Sequence, residues 1–97
     1  MRTPDKSPSL SAREWRVTGR VQGVGFRWFV QTRAQEIGVA GWVRNEDAGH
    51  VLVYAVGHPD QLTRLAGYLH AGPRGADVRG VEEHEAAMQQ LNSFRIL

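Results

Sequence analysis

The chain has 97 residues, enough for one small domain with a single modest hydrophobic core. Its net charge of +2, with acidic and basic residues interspersed, excludes the strong electrostatic footprint of a nucleic-acid-binding or membrane-binding protein. The absence of cysteine excludes disulfides, thiolate metal sites and a cysteine nucleophile. No segment has the length of a membrane span and the polar start lacks the apolar centre of a signal peptide, so we expect a cytoplasmic protein.

Residues 1–12 are predicted to form a disordered tail. This segment contains two prolines and three serines but few large apolar side chains. It therefore buries too little apolar surface to offset the entropy that it would lose on ordering. We expect one folded domain over 13–97, and we expect its function to survive loss of the tail.

The periodicity of apolar residues predicts five strands and two helices. A period-two pattern over 14–21 is typical of a strand, and helical spacing over 26–37 ends at the stop residue Gly38. The other predicted strands span 39–45, 51–56, 78–85 and 93–97, and a second helix opens at 58–60 with proline in its first turn. The order β-α-β-β-α-β plus a short last strand predicts an α+β sandwich of the split β-α-β type. In that fold, one antiparallel sheet carries both helices on one face.

The segment 19–27 (GRVQGVGFR) is the first candidate site. Gly23 and Gly25 allow positive φ angles and close approach of a ligand, and the N–H groups of such a turn before a helix form an anion site. Arg27 falls in the first helical turn, where the helix dipole disfavours a cation unless a negative ligand offsets it. The alternative is a tight turn with a solvated arginine. Because no Gly-Lys-Ser/Thr follows and Trp28 replaces a third glycine, the site would hold one small anion rather than a nucleotide.

Asn45, at the end of the strand over 39–45, belongs to the second candidate cluster. Asparagine at a strand end often only shapes the turn, but its amide can also position a water molecule. In the split β-α-β fold the first and third strands are neighbours and the second strand lies beside the third. This arrangement is expected to bring Asn45 and Arg27 to the same side of the molecule.

Residues 19–27, read together with 41–45 (GWVRN), closely resemble the two signature segments of the acylphosphatases. The resemblance covers nearly everything after the tail. It implies a ferredoxin-like fold and hydrolysis of the carboxyl–phosphate bond of acyl phosphates to a carboxylate and inorganic phosphate. It implies that Asn45 orients the attacking water and that Arg27 binds the phosphoryl group with backbone amides of the preceding residues, which are Gln22, Gly23, Val24, Gly25 and Phe26. The resemblance also implies no metal, no organic cofactor and a small-molecule substrate, and we expect a monomer.

Some positions depart from the family pattern. The hairpin reads Ala48-Gly49-His50 where an Asp-Gly pair is common, and Leu52 stands where many members carry a polar residue. Glu46 brings a carboxylate close to the anion site. That carboxylate is expected either to weaken phosphate binding by like-charge repulsion or to point to solvent.

Proteins of two other functional classes share features with this sequence. An RNA-recognition module has the same element order, but it needs aromatic residues on its central strands, where the third strand offers only Tyr54. A regulatory or substrate-handling domain that binds acyl or carbamoyl phosphate would use the same site, since acylphosphatase-like domains also begin larger carbamoyl-transfer maturation proteins. The length of this chain favours the independent enzyme. The four histidines are scattered without a helical i, i+4 pair, so no metal site is predicted.

Overall fold

The structure is a computed structural model that describes residues 9–97. Within that range the chain forms five strands and two helices in the predicted order, which confirms the ferredoxin-like α+β fold. The elements are β1 (Ser11–Arg20), α1 (Phe26–Ile37), β2 (Ala40–Asn45), β3 (Val51–Gly57), α2 (Pro59–Ala71), β4 (Asp77–Glu85) and β5 (Phe94–Ile96). No helix of the described range is long and apolar enough to cross a membrane.

Strand β1 begins at Ser11, earlier than the predicted residue 14. Its first residues have partners because β3 continues to Gly57, so that Ser11 pairs with Gly57 and Ala12 pairs with Val56. Ala12 is buried, although a single small apolar residue gives little periodic signal. The last two residues of the predicted tail therefore belong to the sheet, and residues 1–8 lie outside the described range.

The sheet has the strand order β4-β1-β3-β2-β5. The first four strands pair antiparallel, as predicted, but β5 pairs in parallel with β2, with Gly41 opposite Phe94 and Val43 opposite Ile96. The sheet is therefore mixed rather than antiparallel throughout. The reason is that residues 86–93, which we call the connector, carry the chain from one edge of the sheet to the other before β5 begins.

Both faces of the sheet are covered. The two helices pack on one face, which we call the helix face, and form the main core there with Trp15, Val53 and Val43. The connector covers part of the opposite face, where Ala86 and Leu91 pack near the buried Tyr54. Every residue of β3 is buried, which explains its uninterrupted apolar sequence.

Candidate active site

Residues 21–25 join β1 to α1 and form what we call the glycine turn. Gly23 has φ 76° and Gly25 has φ 77°, both in the left-handed region that favours glycine. These φ angles, rather than a lack of space, are the reason for glycine at both positions. A Cβ atom built on either glycine would meet nothing within 4 Å, so the space beside the glycine turn is open. Gly25 is the N-cap of α1 and provides no side chain to cap it. The first N–H groups of α1 therefore suit an anionic ligand.

A pocket of about 190 Å3 lies at this end of α1. It is smaller than the roughly 300–1,000 Å3 of sites for drug-sized ligands, and its size fits a small molecule. Its walls come from the glycine turn, the first turn of α1 and the ends of β2 and β5. The lining residues are Val21, Gly23, Gly25, Phe26, Arg27, Trp28, Asn45 and Ile96.

Arg27 supplies the positive charge of the pocket. The residue is half-buried, and no carboxylate of residues 9–97 lies within 4.0 Å of its guanidinium. The first turn of α1 contains no acidic residue either. A cation and the positive end of a helix dipole thus meet in one pocket without a counter-charge from the described chain. A negatively charged ligand would balance both.

Asn45 is the last residue of β2 and enters the pocket from the sheet. Side chains alternate along a strand, so Asn45 shares the helix face with the buried Val43. The hairpin turn that follows closes through backbone hydrogen bonds, from Glu46 N to His50 O at 2.8 Å and from Gly49 N to Glu46 O at 3.0 Å. Those backbone bonds close the turn without the Asn45 side chain. Asn45 lines the pocket, and its amide carries both donors and an acceptor.

Gln22 ties the glycine turn to the β2–β3 hairpin. Its side-chain Nε2 donates to Glu46 O at 2.8 Å and to His50 O at 2.9 Å. The side chain of Gln22 therefore does not line the pocket, and that of Val24 packs against the main core instead. The other predicted site residues, Gly23, Gly25, Phe26, Arg27 and Asn45, all line it.

Glu46 neither lines the pocket nor points freely to solvent. Its Oε1 lies 3.2 Å from Arg16 Nε, and its Oε2 lies 3.8 Å from Arg44 Nη2. Arg16 and Arg44 are the cross-strand neighbours of Leu52 on the face opposite the helices, and Leu52 is buried there. The carboxylate is thus paired on the far side of the sheet from Val43 and does not simply point to solvent, while its effect on phosphate binding stays a prediction.

Two lining residues were not predicted as site residues. Trp28 follows Arg27 directly and is 68% exposed, and the sequence signal for it was a large aromatic residue that lies off the apolar spacing of 26–37. Ile96 reaches the pocket only because β5 pairs with β2, which local periodicity does not reveal. Within residues 9–97 no group of three histidine, aspartate or glutamate side chains is placed to hold a metal ion. The use of no metal stays a prediction.

The family model described as Acylphosphatase matches residues 13–96 of the chain. The chain belongs to the acylphosphatase family. It is 58% identical to an acylphosphatase of Solibacter usitatus over 90 residues, which cover 93% of each chain. Among solved structures, it resembles an acylphosphatase from Coxiella burnetii with a TM-score of 0.88 and 34% identity. That match covers 91% of this chain and 93% of the other.

The acylphosphatase fold also recurs inside a much longer protein. The structure of HypF from T. kodakarensis matches with a TM-score of 0.77 and 30% identity, covering 89% of this chain but 11% of that one. In contrast, the match to the Solibacter usitatus acylphosphatase spans almost the whole of both chains. Membership of the acylphosphatase family supports hydrolysis of acyl phosphates as the general activity of the domain.

Proposed function

We propose that the protein hydrolyses the carboxyl–phosphate bond of a small acyl phosphate without a metal ion. The observation that carries this proposal is the meeting of Arg27, the N-terminus of α1 and the Asn45 amide in one small pocket. The pocket thereby combines a cation and backbone donors for a phosphoryl group with a polar amide for a water molecule.

Arg27 and the backbone N–H groups of residues 22–27 bind the phosphoryl group in this proposal. Phosphoryl transfer passes through a loose transition state with charge on three equatorial oxygens, so positioning and electrostatics supply most of the catalysis. A guanidinium donates two parallel hydrogen bonds to such oxygens, and the backbone donors are fixed by the turn before substrate arrives. Neither group has to change its protonation state during the reaction.

Asn45 orients the attacking water in this proposal. The water oxygen bonds to phosphorus, the bond from phosphorus to the acyl oxygen breaks, and the bond electrons leave with the carboxylate. Because a carboxylate is a stable leaving group, the reaction needs no strong general acid. An amide cannot act as a general base, so the proton of the water passes to the phosphate of the substrate or to solvent.

The test is hydrolysis of benzoyl phosphate at neutral pH with a chelator present, alongside a measurement of inorganic phosphate binding by calorimetry. We expect metal-independent turnover well above the uncatalysed rate. Phosphate binding without turnover would contradict the proposed hydrolase activity and favour the alternative, a domain that only binds acyl or carbamoyl phosphate.

A further inference from the structure

One part of the pocket is apolar and has no role in the proposed handling of phosphate and water. Trp28 and Ile96, which we call the apolar wall, line the same pocket as Arg27 and Asn45. Arg27 is the one charged residue among the pocket-lining residues of the described chain. The pocket therefore places an uncharged, apolar surface next to a single anion site.

Trp28 differs from the other two tryptophans in its surroundings. Trp15 is fully buried and its Nε1 donates to Glu83 Oε1 at 2.7 Å, while the ring of Trp42 stacks on Tyr54 with centroids 5.5 Å apart. Trp28 is 68% exposed, and no aromatic ring of residues 9–97 pairs with it. Unlike a single exposed apolar residue elsewhere on the surface, this ring borders a pocket and offers a ligand a large apolar contact area.

The apolar wall is built on the same rigid elements as the polar groups. Trp28 and Arg27 are consecutive residues of α1. Ile96 is held by β2, the strand that ends at Asn45, because Val43 and Ile96 are register partners and Leu97 N donates to Val43 O at 2.9 Å. The fold therefore fixes the backbone positions of the apolar wall relative to the anion site before any ligand binds.

We propose that Trp28 and Ile96 bind the acyl group of the substrate and select aromatic or large apolar acyl phosphates over acetyl-sized ones. This inference rests on the proposed function, since it takes the phosphoryl group to lie at Arg27. The acyl carbon is then two bonds from phosphorus, so its substituent lies against the surface that borders Arg27. Apart from Arg27, which holds the phosphoryl group in this proposal, no charged residue of the described chain lines the pocket, so an acyl group with its own charge would find no further charged partner there.

The experiment measures binding rather than turnover, so that it stays informative whether or not the protein is a hydrolase. Calorimetry gives the affinities for 2-oxo-2-phenylethylphosphonate and 2-oxopropylphosphonate, stable analogues in which a methylene replaces the bridging oxygen. We expect the phenyl analogue to bind roughly tenfold tighter to the wild type, because an aromatic contact adds to the buried apolar area. In Trp28→Ala this ratio should fall close to one, while the affinity for inorganic phosphate is unchanged.

Two control variants distinguish loss of the aromatic contact at the apolar wall from loss of any exposed apolar side chain. Trp28→Phe keeps an aromatic ring and should retain most of the preference, whereas Met88→Ala removes another exposed apolar side chain, one that does not line this pocket, and should retain all of it. Equal weakening of both analogues in Trp28→Ala, or no preference in the wild type, would overturn the inference. A wild type with the preference but without turnover would overturn the proposed function and leave the apolar subsite standing.

Discussion

At the residue scale, the site depends on one glutamine that never lines the pocket. The Gln22 amide holds the glycine turn against the hairpin through two hydrogen bonds, and one of them ends on Glu46, the residue after Asn45. The distance between the glycine turn and Asn45 therefore depends on Gln22. Its role is to position other residues.

We expect Gln22→Ala to lower the free energy of unfolding by about 1–2 kcal/mol, because two part-buried hydrogen bonds are lost. Turnover should fall more than substrate affinity, because Arg27 stays in place while Asn45 loses its fixed distance to the turn. Urea unfolding and the separate effects on kcat and KM test this. Gln90→Ala, on the exposed connector, is the matched control and should change neither quantity. A drop in stability with unchanged kcat would show that Gln22 only supports the fold.

At the scale of elements, backbone conformation distinguishes Gly25 of the glycine turn from Gly67 of α2, although both glycines have open space around them. Gly25 has φ 77° at the start of α1, whereas Gly67 lies inside α2, and an added Cβ would meet nothing within 4 Å at either position. Steric room is thus equal, and the backbone alone sets the cost of a side chain.

We expect Gly25→Ala to destabilise the protein by about 1–2 kcal/mol, the cost of a side chain in the left-handed region. Gly67→Ala should instead stabilise it by about 0.5–1 kcal/mol, because alanine has the higher helix propensity and loses less backbone entropy on folding. Thermal and urea unfolding of both variants give the sign of each change in the free energy of unfolding. Changes of the same sign in the two variants would contradict the backbone roles assigned to Gly25 and Gly67.

Helix α1 and the order of the elements along the chain were accessible from the sequence for local reasons. The apolar spacing over 26–37 and the stop at Gly38 fix both ends of α1, and Gly38 N donates to Ala34 O at 2.8 Å as expected of such a stop. The parallel pairing of β5 was not accessible, since it depends on where the connector crosses the sheet. The position of Ile96 beside the pocket follows from that pairing and was missed with it.

At the scale of the whole molecule, the topology explains which site predictions were possible. Arg27 and Asn45 are far apart in sequence, and the split β-α-β order was enough to predict that one side of the molecule holds both. The pairing of Glu46 with Arg16 and Arg44 was not predictable, because it depends on which side chains neighbour each other across three strands. Arg27 and Asn45 were thus predictable from the sequence, whereas the ion pairs beside them were not.

The opposite face of the sheet bears on the RNA-recognition alternative. Such a module exposes aromatic rings on its central strands to stack bases. Here Tyr54 is buried, and its hydroxyl donates to Ala87 O at 2.7 Å and accepts from Gln89 N at 2.8 Å. The connector of the chain itself therefore occupies the position that a base would need, which disfavours RNA binding on this face. A cytoplasmic location and a monomeric state stay predictions.

Kinetics and phosphate binding of two variants test the proposal that Arg27 binds the phosphoryl group and Asn45 orients the water. We predict that Arg27→Ala lowers turnover of benzoyl phosphate by at least about 100-fold and weakens inorganic phosphate binding. Asn45→Ala should lower turnover by a similar factor but retain phosphate affinity. Arg64→Ala and Asn92→Ala remove exposed residues of the same types away from the pocket and should behave as wild type. Near-normal turnover in Arg27→Ala, or lost phosphate binding with retained turnover in Asn45→Ala, would contradict the account.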